Sequence, residues 1–187
     1  MTKLRISLVL GTMLACGMAT LWAGENLKSG PQTGQKVPGP FEPLNVTGPS
    51  AGEKSCLYCR NGANPVVMIF AREISEPLTQ LIKKVDAATS DHQDTKMGSF
   101  VVFLGDSEEL SPRLKQLADK EQIKQTVLSV HEQTGPKAYK VSPEADVTVV
   151  LYTNHEVKAN HAFARGELQE KDIDTIMQEL PKILTPQ

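Results

Sequence analysis

Positive charge is not in excess in this sequence. Its 187 residues carry 20 Lys and Arg against 22 Asp and Glu, with no dense basic patch, which excludes the usual nucleic-acid-binding surface. Long apolar stretches are also missing: the run 6–15 is too short for a comfortable membrane span. There is no internal repeat, no glycine-rich phosphate loop and no nucleophile–base motif. Cysteine is scarce, with three in all, and only Cys56 and Cys59 lie beyond the N-terminal segment. What remains is ordinary for a soluble globular protein, with 40% hydrophobic and 22% charged residues. The length suits one domain with flanking segments.

Residues 1–23 read as a signal peptide. Lys3 and Arg5 form a charged start, the apolar run follows, and small residues precede cleavage after Ala19 or Ala23. Those two cations are the only charges in the segment, so removing them takes the formal net charge from -2 to -4. Retention of the segment as a membrane anchor is one alternative. A lipid anchor through Cys16 is another, because Met13-Leu14-Ala15-Cys16 imperfectly matches the motif that precedes a lipidated cysteine. Each route places the chain outside the cytoplasm, periplasmic or secreted, where disulfides persist. Residues 24–40, rich in Gly, Pro, Gln and Lys, are expected to be a flexible leader.

The domain is expected over 41–184. The continuous apolar run 65–71 predicts a strand buried on both faces. Ser75 caps a helix whose Leu78, Leu81, Ile82 and Val85 share one face. A second strand follows over 100–104. Ser111 and Pro112 then predict a cap and a first-turn proline for a helix bearing Leu114, Leu117 and Ala118. Thr126 to Val130 predicts a third strand, and 146–153 and 156–163 predict a hairpin turning at Asn154-His155. A final helix carries Ile173, Ile176, Met177 and Leu180. This order predicts an α/β fold in one domain, a mixed sheet flanked by helices.

Several segments resemble a known family. Val37-Pro38-Gly39-Pro40-Phe41 followed by Asn45-Val46-Thr47-Gly48, Lys137-Ala138-Tyr139-Lys140-Val141, and the strand and turn 146–155 are similar to the peroxiredoxin and alkyl hydroperoxide reductase branch of the thioredoxin-like superfamily. Residues 56–73 resemble exported thioredoxin-like proteins of planctomycete-type bacteria. The resemblance implies a thioredoxin-like fold over about 37–184. It also implies a reactive cysteine after the first central strand, where the chain instead has Arg72-Glu73-Ile74-Ser75-Glu76-Pro77. Peroxidase chemistry is therefore not supported. The proline that often precedes the late hairpin is replaced by Ala145-Asp146-Val147.

Cys56-Leu57-Tyr58-Cys59 lies before that strand instead. Ser50 and Glu53 have capping-box spacing, Gly62 suits a helix end, and i, i+3 side chains share a face. The pair admits three readings. It is a dithiol exchanging with a protein thiol or disulfide partner, Cys56 attacking and Cys59 resolving; or a structural disulfide on a non-catalytic binding module; or half of a metal site completed by His92, His131, His155 or His161. None of the four histidines has ligand spacing with the cysteines, and no cofactor is implied. Exchange through the displaced pair is the reading preferred here. The Asn45-Val46-Thr47 sequon, Glu108-Glu109 near a helix start, and Asp172 with Asp174 carry no separate function.

Overall fold

The apolar run 65–71 forms the centre of the molecule. In the computed structural model, which describes residues 27–184, β2 (Val66–Ala71) is buried along its whole length. Successive side chains of a strand face opposite ways, so the run divides between two cores. Val67, Ile69 and Ala71 enter one apolar cluster, and Val66, Met68 and Phe70 enter the other. A strand covered on both faces has no polar side, so the sequence shows no alternation there.

To one side of β2 run β3 (Gly98–Leu104) and β4 (Val127–His131), both parallel to it. The other neighbour is antiparallel β5 (Val147–Thr153), which pairs with β6 (Glu156–Phe163). A two-residue strand, β1 (Leu44–Asn45), closes the far edge against β4, giving the order β1-β4-β3-β2-β5-β6. The β5–β6 turn is the one expected. Asn154 and His155 both have positive φ, 50° and 62°, as the tight turn compatible with strand twist requires.

Four helices cover the first face: α2 (Glu76–Asp91), α3 (Ser107–Glu121), α4 (Glu170–Gln178) and α5 (Pro181–Leu184). Leu78, Leu81, Ile82 and Val85 of α2 are fully buried, and the Ser75 hydroxyl accepts the Leu78 N–H. The second face is covered differently, by the N-terminal segment, the short α1 (Leu57–Asn61) and a single 3-10 turn over Lys137–Tyr139. Among the described residues no helix is long and apolar enough to cross a membrane.

Three local expectations are corrected. Helix α3 begins five residues before Pro112, capped by Asp106, whose carboxylate accepts the N–H groups of Glu108 and Glu109 at 2.8 and 3.1 Å. Asp is among the strongest N-caps, and Leu110, buried against the core, holds the early turn in place. Pro112 therefore sits inside the helix, where its missing N–H forfeits one bond. The Ser50-to-Glu53 stretch forms turns rather than a helix start.

The supposed flexible leader is packed over the part described. Ser29 is buried, its hydroxyl bonded to Thr148 Oγ1 (2.6 Å) and to the Ser142 N–H (2.9 Å). Asn160 donates to the carbonyls of Ser29 and Pro31, the Gln35 carbonyl accepts the Val157 N–H, the Val37 N–H donates to the His155 carbonyl, and Val37 is buried. Composition gave no sign of this, because the segment is held mainly by hydrogen bonds to distant residues, with Val37 as a buried apolar anchor before Phe41. The expected signal peptide and Cys16 anchor lie outside the described residues.

Candidate functional site: the Cys56–Cys59 disulfide

Cys56 and Cys59 are joined in a disulfide, with Cα atoms 5.3 Å apart. Cys56 is the N-cap of α1, with extended backbone (φ -81°, ψ 100°), and its Sγ accepts the Cys59 N–H at 3.0 Å. The cap is thus one of the two bridged sulfurs, not Ser50. Gly62, with φ of 54°, ends the helix and donates its N–H to the Tyr58 carbonyl. Such a positive-φ terminus is a conformation that glycine adopts without strain.

Residues one position apart point to different sides of this turn, and α1 uses that separation. Leu57 is 2% exposed and plugs the second apolar cluster. Cys59 is exposed while Cys56 is half-buried. Tyr58 lies half-buried against the β5–β6 turn, its ring centroid 5.2 Å from His155 and 6.4 Å from Tyr152. The Asn154 N–H donates to the Ala63 carbonyl at 2.9 Å, and the Asn61 side chain donates to the Leu57 carbonyl at 2.8 Å. A disulfide with a solvent face therefore rides on a short helix anchored to the sheet by Leu57 and Tyr58. The pairing of Tyr58 with His155 and Tyr152 was not legible in the sequence, since it joins residues far apart in the chain.

The site lies at the N-terminal ends of the central strands. Tyr152 is in register with Val66, the first residue of β2, and the Asn61 side chain abuts Gly98, the first residue of β3. Arg72 follows the other end of β2, which six residues of strand place roughly 20 Å away. That end is where the resemblance implies a reactive cysteine.

Arg72 occupies that end structurally. Its guanidinium donates to the carbonyls of Ala145 (3.0 Å), Gln133 (2.8 Å) and Ser142 (3.1 Å), drawing together the loops before β5. Glu73 pairs with Arg165. Burial pushes the Asp146 carboxyl above its usual value; Glu73 adds to the rise, and Arg165 and Arg72 oppose it. No peptide bond among the described residues is cis. The sequence showed that a cysteine was missing here but not that an arginine clamp had replaced it.

The four histidines do not gather at the disulfide. His92 bonds the Ala88 carbonyl, His161 pairs with Glu179 at 2.7 Å, and His131 faces Phe41. Only His155 approaches α1, through Tyr58. Among the described residues no three His, Cys, Asp or Glu side chains are placed to hold a metal ion. Asn45 of the sequon is buried and donates to Ser55 Oγ at 2.6 Å. Asp172 caps α4 and Asp174 pairs with Lys84.

No known family model matches the sequence, and no curated protein matches it. Solved structures do match the fold. A provisionally assigned thiol:disulfide interchange protein, DsbE, of Chlorobium tepidum shares 15% identity at a TM-score of 0.58, over 86% of this chain and 100% of that one. A provisionally assigned protein disulfide isomerase of Bacteroides thetaiotaomicron gives 12% and 0.62, over 84% and 94%. The reduced 2-Cys peroxiredoxin of Plasmodium vivax gives 15% and 0.55, over 80% and 83%. The chain has the thioredoxin-like fold, an architecture that these thiol–disulfide proteins and peroxiredoxins share with it.

Proposed function

We propose that this protein exchanges disulfides with a protein partner outside the cytoplasm, using the Cys56–Cys59 pair. One observation carries the reading: the disulfide is built into a thioredoxin-like fold yet remains open to solvent on its Cys59 side. A thiolate from a partner attacks one sulfur, a mixed disulfide forms, and a second partner thiol releases it; the reverse sequence reduces a partner's disulfide. The extracytoplasmic location rests on residues 1–23 read as a signal peptide, with Cys16 as the alternative lipid tether. The test is disulfide reduction, measured with insulin and a thiol reductant. Activity above the uncatalysed rate, lost in both Cys56→Ser and Cys59→Ser, supports the reading. Activity unchanged in those variants overturns it.

A second reading is a non-catalytic binding module with a structural disulfide. It is favoured by Arg72, whose three carbonyl contacts fill the end of the fold where the resemblance implies chemistry. Activity dependent on both cysteines rules it out as a full account.

A further inference from the structure

We infer that the partner is held on Cys59, with Cys56 as the sulfur that leaves and returns, the reverse of the order that the sequence suggested. The inference rests on the exchange reading and adds the direction of attack. Exchange proceeds through a near-linear array of three sulfurs, so the sulfur attacked must be open to the incoming thiolate. Cys59 is exposed, whereas Cys56 is half-buried. Beside Cys56 on the chain, Leu57 is sunk in the core, and Tyr58 is braced on His155 and Tyr152. Turning α1 to present Cys56 would withdraw Leu57 from that cluster.

The departing sulfur needs the opposite environment. It leaves with the bonding electron pair, and a negative sulfur is stabilised by a donor already aimed at it. The Cys59 N–H points at Cys56 Sγ from 3.0 Å in the intact disulfide. Among the described residues no backbone or side-chain donor reaches Cys59 Sγ. Exposed Arg60 adjoins Cys59 and supplies a positive field to an approaching thiolate.

The steps balance without any further reagent than the partner's two thiols. The first partner thiolate bonds to Cys59 Sγ as the Cys56–Cys59 bond breaks, and Cys56 Sγ takes the electron pair. The partner's second thiolate then attacks the partner sulfur, and Cys59 leaves. The partner is oxidised by two electrons to a disulfide and this protein is reduced to a dithiol. The two thiol protons pass to solvent or to the released cysteines. In the reverse direction Cys59 attacks a partner disulfide and Cys56 resolves it.

Reaction of the oxidised wild-type protein with reduced glutathione tests this, quenched in acid within milliseconds to seconds and alkylated. Cleavage after Lys54 and Arg60 releases residues 55–60 as one peptide, and fragmentation assigns the adduct. The expected result is glutathione on Cys59 and alkyl on Cys56, in at least about tenfold excess over the reverse. Equal adducts, or glutathione mainly on Cys56, overturn the order of attack while leaving the exchange reading standing. A disulfide that glutathione does not open on any timescale overturns both.

Discussion

Replacing Arg72 with alanine should destabilise the fold while leaving the disulfide's chemistry intact. Arg72 donates three hydrogen bonds to loop carbonyls, two partly shielded from water and one exposed. A hydrogen bond to a charged group contributes about 1.5–3 kcal/mol net when protected, and much less when water competes. Two shielded bonds at the low end of that range and a small exposed contribution give about 3 kcal/mol. For a domain of this size, each kcal/mol corresponds to roughly 2–4 °C in Tm, so the melting point should fall by about 6–12 °C. Urea denaturation followed by circular dichroism, with the slope of the transition compared between variants, supplies the free energy. Arg72→Lys keeps the charge but cannot span three carbonyls, and should recover no more than about a third of the loss. The disulfide lies at the opposite end of β2, so its reduction potential should not change in either variant. A loss below about 1 kcal/mol, or full recovery by lysine, would refute the clamp.

Other consequences are equally direct. A Cβ on Gly98 would overlap Asn61 Oδ1, so Gly98→Ala should cost about 1–3 kcal/mol. The same change should cost clearly less in an Asn61→Ala background, which a double-mutant cycle by urea denaturation measures. Leu57→Ala should cost about 2–5 kcal/mol and speed reduction of the disulfide by glutathione, because α1 loses its anchor. Asp146 is pushed upward chiefly by burial. An acid with a raised folded-state value binds its proton more tightly when folded, so stability falls as pH rises through that value. Asp146→Asn should therefore gain stability at pH 7 and lose that advantage below about pH 4, where both states carry the proton; stability curves between pH 3 and 8 check the sign.

Much of the architecture was legible because local and tertiary signals agree. Ser75 caps α2, whose apolar spacing matches its buried face. Asn154-His155 takes the tight turn between two strands, and β2 reads as apolar throughout because both its faces are covered. The sequence was less informative where distant groups decide the outcome. Ser29 is fixed by Thr148 and Ser142, more than one hundred residues away, and two-residue β1 joins the sheet through its pairing with the distant β4. At α3 two caps competed, and the burial of Leu110 together with the Asp106 carboxylate outweighed the Ser-Pro pair. The cysteine spacing revealed that the sulfurs can meet, as they do. Which sulfur faces solvent depends on where Leu57 and Tyr58 find their contacts, and that required the fold.

The most direct test of the exchange account is the reduction potential of the Cys56–Cys59 pair, measured by alkylation trapping of the domain across glutathione buffers. A working exchange pair should have a midpoint between about -120 and -270 mV, the span of proteins that exchange disulfides. A value well below about -300 mV would mark a structural disulfide and contradict it, as would failure of the bridge to form.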